Sequence, residues 1–319
     1  MPDALVPSAV KPPAATPPAA RMPRAWAAVA AGATAQVCVG GSVAVSGVLA
    51  GAPMYTAEAV RYAAACVLLL GYVRLAGQRV PRPRGVEWLW LLGVTATGLV
   101  LFNVALVQGA RHAEPAVLGV AVASVPALLA VGGPLMEGSR PRAAVVVAAV
   151  MVTCGAALVQ GAGRADAAGL VWAVVVLGCE ACFTLLAVPV LGRLGAAGVS
   201  VHTTWLAAVL FATIGAVREG PAAVLRLRAA DWLADGYLAV AVTAVAFVLW
   251  YSSVRRLGAS RAGLLTGLAP MAAAAAGIAL GGPAPRPLVW AGLAVVAAGL
   301  VLGLRPARCI GRPPDPVAA

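Results

Sequence analysis

Two stretches of sequence decide how this chain folds: RHAEPAVLGVAVASVP at residues 111–126 and RRLGASRAGLLTGLAP at residues 255–270. Each begins with a basic pair and ends on a proline inside an apolar run, and the second follows the first by 144 residues. The same offset places Gln36 on Glu180. A single offset shared along the chain predicts an internal duplication.

The composition predicts that lipid is the solvent for most of this chain. Of its 319 residues, 62% are hydrophobic and 11% are charged, with a mean hydropathy of +0.94, whereas about a quarter of an ordinary globular sequence is charged. Because a bilayer core needs about 20 apolar residues per helix, the apolar runs predict ten transmembrane helices. They are expected near residues 25–48, 57–76, 87–107, 115–136, 143–162, 168–190, 198–217, 236–254, 260–280 and 287–304.

The predicted fold class is an all-α membrane protein of ten transmembrane helices, arranged as two inverted five-helix repeats. A unit with an odd number of helices makes its second copy enter the membrane from the opposite side, as in many secondary transporters. The expected domains are a disordered cytoplasmic segment 1–23, a first repeat 24–162, a second repeat 167–305 and a disordered cytoplasmic tail 306–319.

The basic residues predict the orientation. Of the 23 Lys and Arg residues, sixteen fall on the side of both termini, six on the other side, and Arg61 inside the second helix. Cytoplasmic loops carry the excess of Lys and Arg, so both termini are expected in the cytoplasm and the protein in the inner or plasma membrane. The net charge of +12 is therefore attributed to lipid headgroups and topology, and no nucleic-acid partner is expected.

Polar residues inside the sixth and first helices are candidate substrate or coupling groups. Glu180 lies near the middle of the sixth helix, where ionisable residues are usually functional; it is either a proton-coupling or ammonium-binding group, or a neutral acid bonded between helices. Gln36, its repeat partner, either lines a cavity or makes an interhelical hydrogen bond. Thr184 lies one turn after Glu180 on the same helix face and extends the polar strip.

Arg61 and Trp205 are candidates for the two ends of a transport path, because the offset of 144 residues relates them. Arg61 either binds an anionic group at the outer mouth or pairs with Glu58 at an i,i+3 spacing. Pro126 and Pro270 interrupt the fourth and ninth helices, since proline removes a backbone donor. Each proline is either a hinge or a static kink.

Several stretches resemble the EamA-type transporters of the drug/metabolite transporter superfamily, over about residues 25–305. They are TAEAVRY at 56–62, GARHAEP at 109–115, VRRLGASR at 254–261 and GLAVVAAG at 292–299. The resemblance implies ten helices in two inverted repeats, a central cavity, and export or exchange of small metabolites. Glu180 departs from the family pattern, in which apolar or aromatic residues are more common at that place.

The predicted function is secondary transport of small metabolites or drug-like solutes by alternating access, with proton coupling through Glu180. The alternative is a non-transporting membrane sensor or assembly subunit. No enzyme activity, cofactor or metal site is expected, because the sequence has no phosphate-binding loop, nucleophile elbow or metal-ligand cluster. The expected partners are a small solute and the lipid bilayer, and a homodimer is left open.

Overall fold

The computed structural model describes residues 22–42, 45, 48–279 and 286–305, and this part of the chain is helical. Within it, nine helices are long and apolar enough to cross a membrane, and α1 contains a shorter apolar helix, Ala25–Gly41. The predicted fold class is confirmed. The ten helices are α1 Met22–Gly41, α2 Met54–Leu75, α3 Glu87–Gly109, α4 Pro115–Met136, α5 Ala143–Gln160, α6 Ala167–Leu185, α7 Val188–Arg218, α8 Ala229–Leu257, α9 Ala259–Ala279 and α10 Pro287–Leu304.

The predicted disordered segments fall almost wholly outside the described residues. The tail 306–319 lies entirely outside them, as does the N-terminal segment 1–23 except for its last two residues. Those two residues form the start of α1.

Four predicted helix boundaries were wrong. Helix α1 ends at Gly41 instead of residue 48, because consecutive glycines at its end give little support to a helix. Helix α7 begins at Val188 instead of residue 198, because Pro189 starts a helix that bends at Gly195 (φ 69°) and then continues. The sequence predicts residues 188–190 in the sixth helix, but α6 ends at Leu185.

The fourth wrong boundary has consequences for the site. Helix α8 begins at Ala229, not at residue 236, and the link before it contains the 3-10 turn Ala223–Arg226. The backbone N–H of Arg228 donates to Asp231, which fixes the first turn of α8. Asp235 therefore lies inside the helix, almost two turns from its start.

The offset of 144 residues seen in the sequence also relates the helices of the two halves. The π-helical segment Val94–Leu101 of α3 has its counterpart in Leu238–Val245 of α8, and the bounds of α5 and α10 differ by the same number. Even a helix start is repeated, since the backbone N–H of Arg84 donates to Glu87 as Arg228 does to Asp231. With five helices per copy, the second copy runs inverted through the membrane.

The helices pack in pairs that follow this symmetry. Helix α5 packs against α10 and α2 against α7; α1 packs against α8 and α9, as α6 does against α3 and α4. The α5–α10 contact is close enough that a Cβ added at Gly155 would lie 2.8 Å from the carbonyl oxygen of Gly292. Small residues allow such close backbone approach in membrane helices.

Helices α4 and α9 are both interrupted just before their prolines. The two segments of α4 are Pro115–Ala123 and Val125–Met136, with Ser124 between them donating from its hydroxyl to the carbonyl of Val120 (2.8 Å). In α9 the 3-10 turn Leu265–Gly267 precedes Pro270. Both breaks follow from the missing backbone donor of proline.

Candidate functional site

Glu180 lies half-buried in α6. Its carboxyl is within electrostatic range of the hydroxyls of Tyr62 on α2 and Tyr251 on α8. Among the described residues, no side chain or backbone group forms a hydrogen bond or an ion pair with it. The carboxyl can therefore accept a hydrogen bond from a ligand or hold a proton.

Thr184, one turn further along α6, is buried and has a partner. Its hydroxyl oxygen accepts a hydrogen bond of 3.1 Å from the indole of Trp250, and the Tyr251 hydroxyl donates to the Phe183 carbonyl at 3.2 Å. The Phe183 and Phe247 rings lie 4.9 Å apart between their centroids. In this conformation Thr184 joins α6 to α8 beneath Glu180.

Gln36 is buried in α1, with 6% of its surface exposed. One turn earlier, Gly32 meets the Ser253 and Leu265 side chains, which belong to α8 and α9. In the described residues Gln36 forms no hydrogen bond with Glu180. Gln36 and Glu180 therefore occupy equivalent positions in the two repeats without a hydrogen bond between their side chains.

Arg61 joins α2 to α8. Its Nε donates to the Thr243 hydroxyl at 3.0 Å, its Nη1 pairs with Glu58 at 3.2 Å, and its guanidinium lies 5.1 Å from the centroid of the Tyr62 ring. The ion pair expected from the i,i+3 spacing is present. The side chains of Arg61 and Glu58 are 11% and 13% exposed, so this is a largely buried pair.

Asp235 lies in the same region and was not recognised from the sequence. The residue is 2% exposed, it interacts electrostatically with Glu58 and Arg61, and neither of its carboxylate oxygens accepts a hydrogen bond from the described residues. We call Glu58, Arg61, Asp235 and Thr243 the charged cluster. It combines two acids with one base.

Trp205 belongs to a second cluster at the opposite face. Its indole donates to Nδ1 of His202 (3.2 Å), and its ring meets the Trp88 ring edge-on, with 6.1 Å between centroids. The other ring nitrogen of His202 lies 2.9 Å from the carbonyl oxygen of Pro81, in the loop after α2. We call Trp88, His202 and Trp205 the aromatic cluster. It lies where α2 ends, whereas the charged cluster lies where α2 begins.

Pro126 and Pro270 are both buried. They lie in contacting parts of the fold, because the second segment of α4 packs against the beginning of α9. The two helix breaks are therefore close to the contact between the repeats, which is where a bend would move one half relative to the other.

A cavity of about 300 Å³ opens at the face where α2 ends. It lies between the ends of α2 and α8 and the bend of α7, and four arginines contribute to its lining. These are Arg79, Arg193, Arg255 and Arg256. The same conformation that leaves this space at one face encloses the charged cluster at the other.

Two loops are linked at the face of the charged cluster. His112 lies 2.9 Å from Asp166, and Arg164 pairs with Glu114 at 3.1 Å, so the α3–α4 loop is joined to the α5–α6 loop. The backbone N–H of Gly169 and the ring of His112 hold the pKa of Asp166 below its usual value. Asp166 thereby caps α6 and ties it to the first repeat.

Asp231 and Asp235 were both missed in the sequence analysis, but only Asp231 could have been found from the repeat. Applying the offset to Glu87, at the start of α3, gives Asp231 and would have placed the start of α8 correctly. The same offset relates Asp235 to Leu91, which is apolar, so the repeat does not indicate a polar residue at this position. Only the packing of α8 on α2 identifies Asp235.

These features define a class of protein: a multi-pass membrane protein of two inverted five-helix repeats, with polar groups enclosed between them. The EamA-like transporter family matches residues 26–160 and 167–305, so the chain belongs to this family and is a membrane transporter. The family expected from the sequence is confirmed.

Individual relatives agree with this assignment. The chain is 24% identical over 250 residues to the uncharacterized transporter YetK of Bacillus subtilis (strain 168), a match that covers 76% of each protein. A crystal structure with 19% sequence identity superposes with a TM-score of 0.74, covering 86% of this chain and 95% of the other. That structure has the same fold.

Proposed function

We propose that this transporter moves small metabolites or drug-like solutes across the cytoplasmic membrane by alternating access, as an exporter or exchanger coupled to protons through Glu180. The observation that carries the proposal is the Glu180 carboxyl, which has no partner among the described residues and lies near two tyrosine hydroxyls from other helices. An ionised acid without a partner inside a membrane protein is energetically unfavourable unless it binds a ligand or a proton.

The duplicated architecture supports the transport cycle. Two inverted copies can exchange conformations, which gives inward-open and outward-open states of similar energy. In this proposal the halves are residues 24–162 and 167–305, Pro126 and Pro270 are the hinges, and Gln36, Thr184, Arg61 and Trp205 contribute with Glu180 to substrate binding or coupling. The excess of arginines on the side of the termini supports a cytoplasmic location of both ends.

The proposal is tested with purified protein in proteoliposomes, by counterflow of pooled metabolites and by accumulation under a pH gradient. One pH unit is worth about 1.4 kcal/mol, or about tenfold accumulation, for each proton carried. Glu180→Gln is expected to keep solute exchange, to weaken its pH dependence, and to lower accumulation about tenfold for the proton lost. The exposed acid Glu114 provides the control, Glu114→Gln, which should behave as wild type.

Each alternative result has a distinct meaning. Identical pH dependence in wild type and Glu180→Gln would refute coupling at Glu180 and leave a transporter with another coupling group. Absence of exchange for every pool, combined with a stable protein partner, would refute the transport proposal in favour of a sensor or assembly subunit.

A further inference from the structure

Asp235 is a buried acid that the proposed function does not use. It lies in α8, 2% exposed, and both of its oxygens lack a hydrogen-bond donor among the described residues. A carboxylate in such a place is strongly unfavourable unless a donor or a cation satisfies it. Something other than the surrounding side chains must therefore neutralise it.

The charged groups around Asp235 do not supply that neutralisation. Helix α2 brings Glu58, Arg61 and Tyr62, and Arg61 already serves Glu58 and Thr243. On its own helix, Asp231 is paired with Arg228 at 2.9 Å. The turn Val48–Gly51, which also packs here, has no titratable side chain. The acids are therefore Glu58, Asp231 and Asp235, and the bases are Arg61 and Arg228. One negative charge has no matching positive charge.

The burial of Asp235 limits which cation can neutralise its carboxylate. Both carboxylate oxygens are inaccessible to solvent, so there is no room for an ammonium group or a hydrated metal ion beside them. A proton needs no such room. It also converts the carboxylate into a neutral acid, whose burial costs far less.

We propose that Asp235 is a proton-binding site, loaded in this conformation and emptied when α2 and α8 separate. This proposal rests on the alternating access proposed above. In the emptying step the O–H bond of the Asp235 carboxyl breaks, its electron pair stays on the carboxylate, and the proton passes to water at the face where α2 begins. The protein is neither oxidised nor reduced.

Loss of the proton changes the partner of Arg61. With Asp235 neutral, Arg61 pairs within α2 with Glu58, as observed. With Asp235 ionised, two carboxylates on two different helices compete for the same guanidinium. Proton binding at Asp235 therefore decides how strongly Arg61 binds α8, which links the protonation state to the α2–α8 contact.

The first test measures the proton directly, by infrared spectroscopy of the full-length protein in lipid at neutral pH. A protonated carboxyl has a C=O band distinct from that of a carboxylate. We expect a solvent-shielded band that persists in Glu180→Gln and in the paired-acid control Asp231→Asn. It should be lost when Asp235→Asn is added to Glu180→Gln, in the double variant Glu180→Gln/Asp235→Asn. A band that survives in the double variant, or is absent from Glu180→Gln, would overturn the proposal.

The second test measures emptying, by accumulation of solute under a gradient of one pH unit. Asp235→Asn is expected to keep counterflow and to lower accumulation about tenfold, the contribution of one proton. Unchanged accumulation would show a permanently protonated Asp235 and refute the emptying step. Wild-type protein that transports nothing would refute the proposed function and the emptying step together, while the infrared result would still decide whether Asp235 holds a proton.

Discussion

The charged cluster and the aromatic cluster occupy equivalent positions in the two repeats and are built from different chemistry. The offset of 144 residues relates Glu58 to His202 and Arg61 to Trp205. One cluster joins α2 to α8 through a buried guanidinium, whereas the other joins α7 to α3 and the α2–α3 loop through rings and neutral hydrogen bonds.

This difference shows which properties of a duplicated fold are free to diverge. The backbone features are kept in both copies, including the π-helical segments and the acid that caps the first turn of α3 and α8. The side chains that close the two faces are not kept. The contacts at the two faces thus differ in chemistry, although the backbone is nearly symmetric.

The largest expected effect comes from removing the base of the charged cluster. Arg61→Leu leaves Glu58 buried without its counter-charge, and breaking a buried ion pair in this way costs about 3 kcal/mol or more. We expect a large fall in the thermal unfolding midpoint and in the yield of folded protein, measured in detergent at neutral pH. The exposed residue Arg74 lies on the same helix and gives the control, Arg74→Leu.

The comparison predicts how this defect can be repaired. If charge is the cause, Glu58→Gln together with Arg61→Leu should recover part of the lost stability, because the carboxylate that has lost its counter-charge is removed. Equal destabilisation by Arg61→Leu and Arg74→Leu would mean that the charged cluster contributes nothing special, and the contrast between the two faces would then disappear.

A smaller effect is expected at the equivalent position of the aromatic cluster. Trp205→Phe removes the indole donor to His202 and keeps an aromatic ring, so the loss should be near the value of one neutral hydrogen bond, about 1 kcal/mol. The same unfolding measurement applies. Trp290→Phe is the control, because Trp290 is 59% exposed. A loss at Trp205 as large as that at Arg61 would contradict the proposed difference in strength.

Much of the fold could be predicted because it depends on local sequence. Ten apolar runs and one constant offset are sufficient for the helix number and for the inverted repeat. The start of α8 was missed because Arg228, Asp231 and Asp235 lower the hydropathy of its first turns. Those charges are tolerated through pairing and contact with α2, which a sliding window along one chain cannot detect.

The site was less predictable because its contacts join distant residues. Thr184 was expected in a polar strip, yet its partner Trp250 lies 66 residues away, and the bond depends on how α6 packs on α8. Glu180 and Arg61 could be singled out, because an ionisable residue in an apolar run is conspicuous. Asp235 could not, because its significance comes from the absence of a partner in three dimensions.

The smallest expected effect tests whether the difference between the faces extends into the loops. Asp166 links the α5–α6 loop to the α3–α4 loop through His112 and caps α6 through Gly169. The offset of 144 residues relates Asp166 to Met22, which has no charge. Because its pKa is lowered in the folded protein, Asp166 stabilises the fold above its unfolded pKa of about 3.9. That contribution is lost as the pH falls through the lower folded value.

Asp166→Asn keeps a capping side chain and removes the charge, so the unfolding midpoints of wild type and variant should differ slightly at neutral pH and converge in acid. The carboxylate is exposed, which limits the difference through solvent screening. Glu114→Gln in the neighbouring loop is the comparison variant, because it removes a charge there and leaves the contacts of Asp166 with His112 and Gly169 in place. A constant difference at every pH would mean that Asp166 acts through its shape, and the electrostatic asymmetry between the two faces would then be confined to the helices.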